Sequence, residues 1–183
     1  TLLAQAPATP AEALTCEALR HKGDPSYKDC YQRLIRSSDP AVLAEAMWGV
    51  GDYRSANDAF RAVLKLRPKD PAPRVRWGRM YLDHWQAGEA RDLFKEALSL
   101  KEDYAPALLG MALVAGEQFE SEAIKNAEKA LASDPKLYEA HELIARVGQI
   151  TGAQLMKPWF GLPWLYGGGV NVIYDTVAAP ETL

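Results

Sequence analysis

Through its middle the chain repeats itself every 33–34 residues, and this period limits the possible folds more than any other feature. Ala56 is followed by Phe60, Val63 and Leu64. Thirty-four residues on, Ala90 is followed by Phe94, Ala97 and Leu98. Thirty-three further, Ala123 is followed by Ala127, Ala130 and Leu131. A small residue with apolar ones four, seven and eight positions later forms one face of an α-helix. Alanine at the close positions lets helices approach, and the larger Phe or Leu fills the space between neighbours. A second helix is predicted before each of these. Residues 74–85 carry Trp77, Gly78 and Tyr81; 107–117 carry Leu108, Met111, Ala112 and Ala115; 138–149 carry Ala140, His141, Ile144 and Ala145. Asp39-Pro40 and Asp134-Pro135 are start signals for the helices that follow them. A single helix pair cannot bury its own apolar face, so the pairs must stack.

Two helices in 33–34 residues resemble the tetratricopeptide (TPR) repeat. The likeness rests on Gly51-Asp52-Tyr53, Ala56, Phe60 and Pro68, on Gly78, Tyr81, Ala90, Phe94 and Ala97, and on Ala123, Ala130, Leu131 and Pro135. It spans about residues 38–150. Glu102 departs from it, standing where proline is usual, and the third repeat is one residue short between its helices. The resemblance implies an all-α, right-handed solenoid of antiparallel helix pairs. It also implies a non-enzymatic scaffold that binds a protein or peptide. In this family the first helices of successive repeats line a concave groove. Carried onto this sequence, the groove residues are Trp48 with Glu45; Arg76, Arg79 and Leu82 with Val75 and Asp83; Leu109 and Leu113 with Glu117; and Arg146 with Glu142. Such a set suits an extended or helical peptide with apolar anchors and a carboxylate or two. Family members that hold a chaperone's C-terminal carboxylate use a Lys and Asn clamp. Its positions are occupied here by Ala41, Glu45, Val75 and Arg79, so that clamp is absent.

Before the repeats, residues 10–37 read as a capping helical hairpin. Gly23-Asp24-Pro25 marks its bend, and Tyr27, Tyr31, Leu34 and Ile35 lie on one helical face. Cys16 and Cys30 each stand seven residues from Gly23. On antiparallel helices that puts them at one height, and the spacing could provide the Cα separation of roughly 4.4–6.8 Å that a disulfide needs. Two small buried thiols are the alternative. Residues 1–9 form an N-terminal arm or the remnant of a secretory signal, with Ala4-Gln5-Ala6 as a small-x-small site. A disulfide and this arm together point to a secreted or periplasmic protein, with a cytoplasmic location as the alternative.

After the repeats the composition changes. Residues 151–183 carry only Lys157, Asp175 and Glu181 as charges, beside Trp159, Phe160, Trp164, Tyr166 and Tyr174 and the run Gly167-Gly168-Gly169. Pro158 and Pro163 forbid a continuous helix, and residues 170–177 have the character of a strand. A lone strand needs a partner. The tail is therefore expected to dock or assemble, through those five aromatics, on a partner or on another copy.

Little in the sequence suggests chemistry. His21, His84 and His141 are far apart and form no metal spacing, and no nucleophile elbow, dinucleotide fingerprint or phosphate loop occurs. No catalytic residue, metal or cofactor is expected. With 21 basic and 24 acidic residues the net charge is -3, which argues against nucleic acid even though Arg67, Lys69, Arg74, Arg76 and Arg79 cluster near Trp77. No run of apolar residues is long enough to span a membrane. The readings left open beside the scaffold are a structural subunit of an extracytoplasmic assembly or filament, its tail joining neighbours, and an accessory domain of a larger hydrolase.

Overall fold

The structure, a computed structural model, describes residues 10–117 and 121–151. The expectations for the N-terminal arm and for the aromatic tail, with Trp159, Phe160, Trp164, Tyr166 and Tyr174, lie outside the described residues. Among those that are described there are nine α-helices: α1 Pro10–His21, α2 Tyr27–Leu34, α3 Pro40–Val50, α4 Tyr53–Leu66, α5 Ala72–Asp83, α6 Ala87–Leu100, α7 Ala105–Glu117, α8 Glu122–Ser133 and α9 Tyr138–Thr151. None is long and apolar enough to cross a membrane.

Local chemistry sets the helix ends. Pro40 sits in the first turn of α3, and the Asp39 carboxylate accepts the Ala41 N–H at 2.8 Å. Asp52 caps α4 through the Ser55 N–H at 3.0 Å, and Asp70 takes the Ala72 N–H at 3.0 Å ahead of α5. Each cap satisfies a donor that the helix itself leaves free. Helix α2 is shorter than the sequence suggests and stops at Leu34. The chain must leave helical geometry before Pro40, and Ser37 holds the turn by accepting the Asp39 N–H.

The helices stack as antiparallel pairs. Across the stack, helices α1 and α3, α5 and α7, and α7 and α9 pack on one another, and ion pairs join α1 to α5 and α5 to α9. Side chains of α1 and α5, and of α5 and α9, reach each other past the odd helix between them, which places the odd helices on the concave side of a curved stack. The hairpin α1–α2 joins this stack as one more pair, since both of its helices pack on α3.

Phe94 shows how neighbouring pairs interlock. It is fully buried on α6, facing Gly78 of α5 and Gly110 of α7. A Cβ on Gly78 would lie 2.6 Å from the Phe94 ring, and one on Gly110 would also collide with it. Tyr31 of α2 occupies the same kind of notch against Gly49 of α3. The ring of Phe60 stacks on Trp77 at 6.0 Å, and the Trp77 indole donates to Asn57 at 2.6 Å. Trp77 is therefore a core residue.

The turns between paired helices use the left-handed backbone region. Gly51 ends α3 with φ +85°. One period later Trp85 takes that place after α5, with φ +59° and bonds from Trp85 N to Leu82 O and from Gln86 N to Tyr81 O. For a bulky residue this geometry costs about 1–2 kcal/mol, yet the indole is 86 % exposed and gains no burial. Trp85→Gly should therefore raise stability by about 1 kcal/mol in urea unfolding. An unchanged or lower midpoint would mean that Trp85 makes a compensating contact.

Candidate functional site

The concave face is organised around Trp48 of α3. Its indole N–H donates to Asp83 of α5 at 3.1 Å, and two guanidinium groups lie against its ring: Arg20 of α1 at 5.0 Å and Arg76 of α5 at 4.8 Å. Arg76 is held in turn by two glutamates. Its Nε and Nη2 donate to the two Glu45 carboxylate oxygens at 2.7 and 2.6 Å, and both terminal nitrogens reach Glu17 of α1 at 3.1 Å. Burial works against the charge of Arg76. The hydrogen bonds and negative charge of Glu45 and Glu17 outweigh it, so the group titrates above the usual arginine value. Arg20 completes a second link from α1 to α5 by pairing with Asp83 at 3.4 Å.

A third link closes the other end of the face. Arg79, one turn beyond Arg76, donates both terminal nitrogens to Glu139 of α9 at 2.6 and 2.5 Å. Burial raises the Glu139 pKa. The bonds and charge of Arg79, with the positive fields of His21 and Arg146, overcome that and bring it below the ordinary glutamate value. A depressed folded-state pKa contributes stability that is present above the unfolded value and lost as pH falls through the folded one. Glu139→Gln should thus cost roughly 0.5–1 kcal/mol at neutral pH, because the pair is partly exposed. That difference from the unaltered chain should fade when urea melts are repeated below about pH 4.

Only part of the groove expected from sequence is an open surface. Trp48 is 4 % exposed, and Leu82 and Leu109 lie in the packed core at 9 % and 1 %. The expected apolar lining is thus corrected at Trp48, Leu82 and Leu109. Neighbouring first helices and, over Trp48, the two guanidinium groups cover them. Arg76 and Arg79 are half-buried in ion pairs, Leu113 is half-buried, and Arg146 is exposed near Glu117 and Glu139. Glu17, Arg20, His21 and Glu139 join the face without having been expected there. On α1 their signal was the spacing of Glu17, Arg20 and His21 at i, i+3 and i+4, which puts three polar groups on one side of the helix.

Cys16 and Cys30 form a disulfide with a Cα separation of 5.5 Å, and both are buried. The three histidines stay apart. His21 lies 3.7 Å from Glu17, His84 stacks on Tyr53 at 4.3 Å, and His141 is 3.3 Å from the Pro135 carbonyl.

No family model matches the chain. Solved structures do. The first TPR of Spaghetti (RPAP3), bound to the HSP90 peptide SRMEEVD, superposes with a TM-score of 0.55 at 19% identity, covering 64% of this chain and 97% of that one. The first TPR domain of human RPAP3 gives 0.57 at 18% identity, covering 64% and 94%. A crystal structure of MamA gives 0.54 at 19% identity, covering 75% and 84%. At such identities the likeness speaks for the fold, and it agrees with the stacked pairs, the interlocked Phe94 and the 34-residue period. The chain has the fold of a tetratricopeptide-repeat solenoid.

Proposed function

We propose that this chain is an exported, non-catalytic scaffold that receives a protein or peptide on its concave face and docks through residues 151–183. The observation that carries the proposal is the row of guanidinium groups on that face. Arg20, Arg76 and Arg79 are held in place by Trp48 and by carboxylates from four different helices. Arginines fixed in this way lose little freedom when they exchange an internal carboxylate for one on a partner. The likeness to a TPR domain that binds an HSP90 peptide supports a peptide ligand. The absence of the Lys and Asn clamp directs the choice away from a chaperone's terminal carboxylate. The Cys16–Cys30 bridge supports export, because disulfides persist in oxidising compartments.

Recovery of partners from the native source tests the face. Arg79→Ala with Arg146→Ala should abolish recovery of any partner held by the unaltered chain, at unchanged helicity. Retained recovery would move the site to the convex side or to the C-terminal segment.

A further inference from the structure

Helix α1 occupies the concave face as a bound helix would, and we propose that it is an internal ligand that closes this site. The seat it fills suits a partner helix that presents a carboxylate and a guanidinium one turn apart. The proposal rests on the reading that the concave face is the binding surface, and adds how that surface is regulated and what it accepts. Glu17 and Arg20 stand three positions apart on α1, hence on one side of it. Glu17 reaches Arg76, while Arg20 lies over the Trp48 ring and pairs with Asp83. The groups that receive them, Trp48, Arg76, Asp83 and the Glu45 that holds Arg76, all belong to α3 and α5.

Three observations set α1 apart from the helices that receive it. The first is grip. Glu45 takes Arg76 with both carboxylate oxygens, at 2.7 and 2.6 Å, whereas Glu17 offers one oxygen to two nitrogens at 3.1 Å. Arg20 meets Asp83 at 3.4 Å, on the same oxygen that accepts the Trp48 indole N–H at 3.1 Å. When α1 leaves, Arg76 therefore stays aligned on Glu45 and Asp83 on Trp48, and only the bonds to α1 change hands. The second is packing. Helix α1 buries Ala13 and Cys16, both small, while α3 buries Val42 and Trp48 and α5 buries Val75, Trp77, Met80 and Leu82. Little apolar area is lost when α1 alone lifts off. The third is charge. Withdrawal of α1 takes a carboxylate from Arg76 and a guanidinium from Asp83 and Trp48 together. A uniformly acidic segment would leave Asp83 without its cation, and a basic one would leave Arg76 with one carboxylate in place of two. A helix with Glu and Arg three positions apart restores both, and a guanidinium also suits the Trp48 face. Closure lowers the apparent affinity for such a helix by the fraction of molecules that are open. The Cys16–Cys30 bridge ties α1 to α2 at the residue next to Glu17 and keeps that fraction small.

Fluorescence anisotropy on the full chain tests it, with a labelled synthetic peptide of residues 10–22 carrying Cys16→Ser as the probe. The unaltered chain binds this peptide weakly, because its own α1 is seated. The chain with Cys16→Ser, Cys30→Ser and Glu17→Ala binds it about tenfold or more tightly, as the open fraction rises. Glu17→Ala with Arg20→Ala in the bridged chain shifts affinity the same way by less, and serves should the first variant fold poorly. Arg76→Ala in the opened chain removes the gain, and so does Glu17→Ala with Arg20→Ala in the peptide. The proposal is overturned if opened and unaltered chains bind the peptide alike, or if the gain survives Arg76→Ala. Recovery of partners from the native source separates it from the reading on which it rests. Recovery that needs Arg79 and Arg146 but does not rise when α1 is opened keeps the concave face as the site and overturns its closure by α1. Recovery that needs neither arginine overturns the reading itself.

Discussion

Phe94→Ala should destabilise the array by about 3–5 kcal/mol, among the largest effects a single core truncation produces. The ring is fully buried and fills a gap that Gly78 and Gly110 leave open on two separate helices. Its loss therefore opens a cavity shared by the α5–α6 pair and the α7 helix behind it. Backbone on both sides is already close, so collapse around the void is limited. Because contacts in a solenoid run between neighbouring pairs, the variant should also loosen the coupling between the halves of the stack. A broader or two-step urea transition would report that. Lys95→Ala, at the next position but exposed, should stay within about 0.5 kcal/mol of the unaltered protein. The glycines supply a sharper check. Gly110→Ala alone should be strongly destabilising, because its Cβ would collide with the ring. In the Phe94→Ala background it should be nearly neutral, since the methyl then enters a void. Additive losses in that cycle would show that the two residues do not meet.

This packing was legible in the sequence because it is local and repeated. Ala56, Ala90 and Ala123 recur at nearly constant spacing, all three are fully buried, and Phe94 stands where the period places it. Gly23 bends the hairpin with φ +70°, as Gly23-Asp24-Pro25 suggested. The concave face was less legible, for a definite reason. A helical period says which residues share a face but not how far the next helix covers it, so Leu82 and Leu109 read as lining and fold as core. The ion pairs were hidden by distance. Glu17 and Arg76 are 59 residues apart, and Arg79 and Glu139 are 60. Each pair skips three helices of the chain, so it depends on how the whole stack curves. Trp85 could have been found by laying one repeat on the next, where a tryptophan falls on a position that Gly51 fills for backbone reasons.

Cys16→Ser with Cys30→Ser should release α1 from the end of the stack at a cost of about 3 kcal/mol, the value expected for a bridge closing a loop of some 15 residues. The expectation rests on how little else holds α1. Only Ala13 and Cys16 of its described side chains are buried, and Leu14 is 63 % exposed. A helix of 12 residues has scant stability of its own. Its other ties include the half-buried Leu19, the Arg20 guanidinium over Trp48, and the partly exposed pairs Glu17–Arg76 and Arg20–Asp83, each pair worth at most about 1 kcal/mol. The loss should therefore be local. Amide exchange within α1 should speed up on the order of a hundredfold, while α7, α8 and α9 keep their protection, as expected when repeats contact only their neighbours. Freeing α1 also removes Arg20 from the face of Trp48 and Glu17 from Arg76, so that indole becomes more accessible to a soluble quencher while Trp77, packed between Phe60 and Tyr81, stays protected. Reduction of the unaltered protein should reproduce both effects. If neither exchange in α1 nor quenching of Trp48 changes, the hairpin is held by packing alone and the disulfide contributes nothing to its place in the stack.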